Sequence, residues 1–417
     1  MENTNLHPEE LIILGNGFDL ACELKSSYKD FFNQHLNSTH SKLLTEVYTA
    51  YMEIHKNTLT TIEEESRHNY SSNDRYEIAR LDDKENLYLN AMEKYNGDVF
   101  GYFKVEKELK SISFFDVFFF ITSLKNENYN PNWSDVETAI QSILIDEDIQ
   151  ENNLSKQNLP ITIKNLSENS NKNIKIKDKD IFFLIDVLEE LQQKLNSENI
   201  EKIILSSLIQ FEDNFKNYLT STIKHHTDYF IYAEELFKKI TKSKKVNILS
   251  FNYTNPFKVA KLKNEVLFLN MENVHGSLDK NIIFGIDETS IAANDKVYRF
   301  SKTYRIMNNL TDSAKNDSPL LDKNIKKIKF YGHSLSEMDY SYFQSIFDFY
   351  DLYGSNIQLI FYYSIYDDAA TEEIKENYLQ AITKMIHKYG DTMNNKDHGR
   401  NLQHKLLLEK RIHLVCI

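Results

Sequence analysis

From Lys245 onward the chain alternates short apolar runs with helical stretches, and that alternation admits few architectures. The runs cover residues 246–251, 266–269, 282–286, 325–331, 357–363 and 412–416, each the length of a strand. Helical patterns fill residues 340–353 and 369–389; the second is opened by Asp367 and Asp368 as N-cap candidates, with Glu372 and Glu373 in its first turn. Strands alternating with helices imply a mainly parallel, doubly wound sheet of Rossmann-like α/β type. One further run, residues 11–14, stands far upstream and is expected to join this sheet beside residues 246–251.

Between the first strand-helix unit and the later strands the pattern is helical. Helices are expected over 182–195 and 200–223, and the most apolar stretch, 114–124, is interrupted by Asp116 and too short to span a bilayer. Polar residues dominate 63–75 and 146–180, the latter with Pro160 near its middle, so 146–180 reads as a solvated, flexible connection. The predicted organisation is an α/β core from 1–35 and 245–417, with a mainly helical insertion over 36–244.

Composition narrows the function. A formal net charge of −13 over 417 residues opposes whole-molecule attraction to nucleic acid or anionic membrane. The two cysteines, Cys22 and Cys416, form no C-x-x-C pair, so neither a disulfide framework nor a thiolate metal site is expected. The segment before Leu11 is polar and lacks a signal-peptide pattern, and a reducing cytoplasm is the expected location. With only 10 glycines in the chain, each one in a turn carries information.

Two of those glycines follow the first strand, in Gly15-Asn16-Gly17-Phe18-Asp19-Leu20. A strand, a glycine turn and a helix start can bring backbone N–H groups and a positive helix end to an anion. Three more motifs fall at expected, solvent-exposed strand ends: Ser250-Phe251-Asn252-Tyr253-Thr254-Asn255, Asn273-Val274-His275-Gly276, and Gly332-His333-Ser334-Leu335-Ser336 followed by Asp339. Taken singly, Asn252 reads as a turn residue, His275 as a core histidine, His333 as structural and Asp19 as a helix-start charge. Taken together, they stand where open α/β sheets place ligands.

These elements resemble the AbiH family of bacterial abortive-infection proteins that act against phage. The resemblance rests on Gly15-Asn16-Gly17-Phe18-Asp19 with Ser26-Ser27-Tyr28, on the F-N-Y-T and V-H-G elements, on Gly332-His333-Ser334-Leu335 through Asp339, and on Asn132-Trp133-Ser134-Asp135-Val136-Glu137. Where many relatives carry His-Gly, this chain has Cys22-Glu23. More distantly the series is similar to the sirtuin-like NAD-binding core, although Thr254 stands where that core has an acid and no C-x-x-C zinc module is present. The resemblance implies an anti-phage effector that cleaves the nicotinamide-ribose bond of NAD, with Asn252 and His275 catalytic. Gly15, Asn16, Gly17, Phe18, Asp19, Thr254, Gly332, Ser334 and Asp339 would then hold the dinucleotide, with no metal.

Such cleavage passes through an oxocarbenium-like state and releases a neutral nicotinamide, so the carboxyl pair of ordinary glycosidases is not required. Two other functions remain open: a non-catalytic nucleotide-sensing module that switches a partner, and a toxin acting on nucleic acid through Lys-rich patches and His225-His226 near Asp228. Net charge disfavours the second. A serine hydrolase is disfavoured because Ser336 occupies the glycine position that G-x-S-x-G requires. Further expected partners are a second copy of the chain and a phage-derived trigger, with no membrane; the helical insertion would act as a lid or an oligomer interface, with residues 146–180 supplying its freedom to move.

Overall fold

Six strands lie side by side in one all-parallel sheet: β1 (Glu10–Leu14), β2 (Lys245–Ser250), β3 (Leu267–Asn273), β4 (Lys327–Tyr331), β5 (Gln358–Tyr363) and β6 (Ile412–Cys416). Their order is β3-β2-β1-β4-β5-β6, so the winding reverses at β1 and β4, as in a Rossmann-like doubly wound sheet. The computed structural model describes residues 7–35, 39–54, 112–125, 137, 180, 183–184, 186–188, 200–243, 245–257, 267–286, 296–308, 319–336, 339–365 and 371–417. The described helices are α1 (Asn16–Ala21), α2 (Tyr28–His35), α3 (Thr39–Ile54), α4 (Phe114–Lys125), α5 (Ile200–His225), α6 (Tyr229–Ile240), α7 (Lys302–Asn308), α8 (Tyr340–Phe349), α9 (Thr371–Thr392) and α10 (Lys396–Leu408). None of them is long and apolar enough to cross a membrane.

Side-chain alternation explains the two-sided burial. Leu11 and Ile13 of β1 join Leu249, Ile328, Phe330, Leu359 and Phe361 on one face, covered by Phe343 and Phe347 of α8, Ile382 and Ile386 of α9 and Leu402 of α10. Ile12 and Leu14 join Val246, Ile248, Tyr331 and Tyr362 on the other face, covered by Phe18 of α1 and Tyr229, Ala233 and Phe237 of α6. A sheet covered on both faces favours apolar residues at successive strand positions, which is why much of these strands reads as apolar runs, with buried polar exceptions such as Asn247 and Lys329.

The chain divides into two compact units, one of Met1–Ser27, Lys216–Asn294 and Ser301–Ile417, and the other of Tyr28–Phe215 and Asp295–Phe300. The first holds the whole sheet. The second has an aromatic interior in which Tyr28 stacks on Phe215 with ring centroids 5.1 Å apart and Phe119 packs against Phe32 at 5.2 Å. Asp116, which interrupts the most apolar stretch, closes a capping box at the start of α4. Its carboxylate accepts the Ser113 N–H at 2.8 Å, and its own N–H reaches Ser113 Oγ at 3.0 Å.

Two expected strands change. The run at 266–269 continues through Asn273. The run at 282–286 is not a strand of the sheet; it is buried and makes only isolated bridges, Ile282 to Gly276 and Ile286 to Ser301. Apolar length alone cannot tell a ladder strand from a buried brace.

At the amino ends of the strands Lys329 Nζ lies 2.7 Å from Glu10 Oε2 and donates to Ile240 O at 2.9 Å, with both side chains almost fully buried. The Thr241 hydroxyl also donates to Glu10. Removing one partner of a buried pair leaves an uncompensated charge, so Lys329→Met should destabilise the protein by about 3–5 kcal/mol. Adding Glu10→Gln should recover more than half of that loss, as read from urea unfolding monitored at the sheet.

Candidate functional site

The glycine turn after β1 is built by backbone meeting backbone. The Gly15 N–H donates to Tyr331 O at 3.0 Å, the Gly17 N–H to Gly332 O at 2.8 Å, and the Phe18 N–H to Gly15 O at 2.9 Å. A methyl group added at Gly17 would lie 2.6 Å from Gly332 Cα, and one added at Gly15 would lie 2.5 Å from His333 Cα. Gly332 itself has φ +70°, a left-handed conformation suited to glycine, and a methyl there would lie 2.3 Å from Phe18 N. The glycines therefore let the loops after β1 and β4 touch, and the amides of Gly15, Gly17 and Phe18 already have partners. Phe18 points into the core, 6.0 Å from the rings of both Tyr331 and Phe257. Asn16 accepts a hydrogen bond from Ser26 Oγ at 2.7 Å.

Asp19 is fully buried rather than solvated at a helix start. Tyr229 of α6 donates to its Oδ1 at 2.6 Å, and Thr254, after β2, donates to its Oδ2 at 2.8 Å. Desolvation pushes its pKa up to about 6, against the opposing pull of the hydrogen bonds from Tyr229, Thr254 and Asn252. Burial, with the nearby Asp19 charge, also pushes the Cys22 thiol up, which makes it a poor nucleophile.

Asn252 sits beside this group. Its Nδ2 donates to Gly15 O at 3.1 Å, and because that carbonyl can only accept, the amide orientation is fixed. Its Oδ1 is buried without a partner. Asn273 at the end of β3 holds the loop, donating from Nδ2 to Asn252 O at 2.7 Å and to Thr254 O at 3.0 Å.

The second group forms around Asp339. Its carboxylate lies 3.0 Å from Lys302 Nζ, 3.3 Å from His275 Nε2 and 3.5 Å from His333 Nε2. Burial alone would raise the Asp339 pKa, but the Lys302 ammonium and the two imidazoles hold it well below the usual carboxylate range. His275 is shifted down by burial first and then by Lys302, partly offset by Asp339. Its loop is braced by the Ile283 N–H, which donates to His275 O at 2.9 Å. The His275–Asp339 contact is short enough for an ion pair but misaligned for a hydrogen bond. His333 differs, since its Nδ1 accepts the Leu335 N–H at 2.8 Å. The Phe251 ring packs edge-on against both imidazoles, 5.5 Å from His275 and 4.3 Å from His333.

The expected residues thus fall into two adjoining sets. Gly15, Gly17, Asp19, Asn252 and Thr254 form one, and His275 and Asp339 the other, bridged by Phe251 and by the packing of His333 on Gly15. The motifs stand at the carboxyl ends of β1, β2, β3 and β4, but the side chains are not exposed there: Asn252 and His275 are only 5% and 6% exposed. Ser334 is exposed and takes part in none of these contacts. Lys302 and Tyr229 escape sequence reading, because neither belongs to a strand-end motif. Trp133 and Asp135 lie outside the described residues, as do residues 63–75 and all of 146–180 except Asp180; Glu137 is buried in a helical segment. His225 is exposed, with Nδ1 2.7 Å from Ser221 O. Among the described residues no cluster of three or more His, Cys, Asp or Glu could hold a metal ion.

Asp19 gives a pH prediction. A carboxyl whose folded pKa exceeds its unfolded one stabilises the fold most below the unfolded value, and that contribution is lost as pH rises to about 6. A shift of about two units corresponds to about 3 kcal/mol. Thermal melts between pH 4 and pH 7 should therefore show a smaller fall in stability with rising pH for Asp19→Asn than for the unsubstituted chain.

A family model described as Bacteriophage abortive infection AbiH matches residues 11–363, which take in every element of the site. No curated protein and no solved structure matches the chain.

Proposed function

This chain belongs to the AbiH family of bacteriophage abortive-infection proteins, and from that premise we propose that it protects its host by cleaving the nicotinamide-ribose bond of NAD in the cytoplasm. The observation that carries this reading is the pairing of a buried Asn252 whose Oδ1 lacks a partner with a buried, neutral-leaning His275, at the carboxyl ends of neighbouring strands. An orphaned buried acceptor is costly unless something donates to it, and a ribose hydroxyl is a fitting donor. In this reading Asn252 orients the ribose or the attacking water, and His275 takes the proton that water or the hydroxyl gives up.

The geometry refines two roles. The glycine turn contributes shape rather than free amides, since the N–H groups of Gly15, Gly17 and Phe18 are engaged. In this reading Asp339 serves the imidazoles rather than the dinucleotide directly, because its carboxylate lies against His275, His333 and Lys302. The nucleotide-sensing reading uses the same pocket without bond cleavage, and NAD loss separates the two.

The test is nicotinamide release from NAD by the purified protein, with and without lysate of phage-infected cells, alongside phage plaque counts. Asn252→Ala and His275→Ala should each lower release by at least about 100-fold, the lower range for general acid-base catalysis, and remove protection. Melting curves should show both variants folded, since losing the Gly15 bond costs about 1 kcal/mol. Protection that persists with NAD intact would reject cleavage in favour of sensing.

A further inference from the structure

We infer that Asp339 and Lys302 are positioning residues that fix His275 as its Nε2–H tautomer, so that Nδ1 is the atom that accepts the proton. This rests on the catalytic reading of His275 but makes a claim about the imidazole that can be measured without turnover. An ionised carboxylate only accepts, so an imidazole nitrogen 3.3 Å from it is favourable carrying a proton and unfavourable presenting a lone pair. The basic lone pair then falls on Nδ1. The same carboxylate faces His333 Nε2, but there Nδ1 is engaged by the Leu335 N–H at 2.8 Å, which leaves His333 no lone pair for chemistry. No such bond to His275 Nδ1 is found among the described residues. One carboxylate thus sets two histidines in one tautomer, and the surrounding loops leave only one of them able to act.

Lys302 completes the device. Its Nζ is 3.0 Å from Asp339 Oδ1, the oxygen that also faces His275, so the cation keeps the carboxylate ionised and at the same time opposes a second positive charge on the imidazole. In the transfer step an O–H bond of water or of a ribose hydroxyl breaks and an N–H bond forms at Nδ1. The resulting imidazolium is stabilised by Asp339. Among the described residues the titratable and charged groups facing His275 are Asp339, Lys302, His333 and Tyr342, whose ring lies 5.8 Å from the imidazole, and the Phe251 ring packs edge-on at 5.5 Å.

The experiment is imidazole NMR on the full-length protein labelled with nitrogen-15 histidine, with the His275 signals identified by their loss in His275→Gln. The unsubstituted protein should show His275 with a protonated Nε2 and an unprotonated Nδ1. Lys302→Met should move its titration to higher pH, because a neighbouring cation is gone. Asp339→Asn should move it to lower pH and weaken the tautomer preference. A dominant Nδ1–H form in the unsubstituted protein, or a titration that neither variant moves, would overturn the inference; the first of these needs no variant to fold. In NAD turnover Asp339→Asn should lower kcat while leaving KM nearly unchanged. Absence of turnover in the unsubstituted protein would remove the cleavage reading, while the tautomer result would still decide the role of Asp339 and Lys302.

Discussion

The architecture of the site depends on one close approach, that of Gly17 to Gly332. β1 is the central strand, paired with β2 on one side and β4 on the other, so the loops that leave it pass between both neighbours at the point where the winding reverses. A doubly wound sheet ordinarily leaves a crevice there. In this chain the loops after β1 and β4 bond through the Gly17 N–H and Gly332 O, with no room for a methyl on either glycine. Asn252 is anchored on the same turn through Gly15 O, and His333 packs against it. The side chains proposed to face a ligand, Asn252 and His275, accordingly stand at the ends of β2 and β3, beside the turn rather than within it.

Two aspartates beside this contact show how surroundings rather than residue type set acidity. Among the described residues the donors that meet Asp19, Tyr229, Thr254 and Asn252, are neutral, and desolvation wins, raising its pKa to about 6. Asp339 is less deeply buried and meets an ammonium and two imidazoles, and charge wins over desolvation. Groups whose pKa values are driven apart within one site mark divided roles. In the proposed mechanism Asp339 is the fixed negative charge beside a developing imidazolium, whereas Asp19 joins α1, α6 and the loop after β2 through hydrogen bonds.

The sheet was legible because its inner strands are covered on both faces, so that local apolar runs such as 11–14 and 357–363 carry the signal directly. Residues 282–286 have the same local signature and a different fate, since whether a buried run pairs in a ladder is decided by distant partners. The glycine turn was legible as a place where a Cβ cannot be tolerated. What the sequence could not tell is whether a ligand or another loop makes that demand, because both exclude the same atom. Lys302 and Tyr229 were illegible for a related reason: each gains its role from an aspartate far away in the chain, Asp339 and Asp19 respectively, and no local spacing records such a meeting.

The misread run at 282–286 turns out to connect the parts of the charge cluster. Its Ile283 N–H bonds to His275 O at 2.9 Å, and its Ile286 O receives the Lys302 N–H at 3.0 Å, while Arg305 Nη1 donates to Phe284 O at 2.8 Å. One short segment therefore fixes the backbone that carries the imidazole and the backbone that carries the opposing cation. Its apolar side chains are fully buried, so a shift at either end is transmitted rather than absorbed. A pairing of residues separated by more than 60 positions, Asp339 with His275, is supported by a segment that braces the imidazole's backbone and that of the neighbouring cation. The apolar run that failed as a strand thus braces the charge cluster, as the Gly17–Gly332 contact sets the turn beside it.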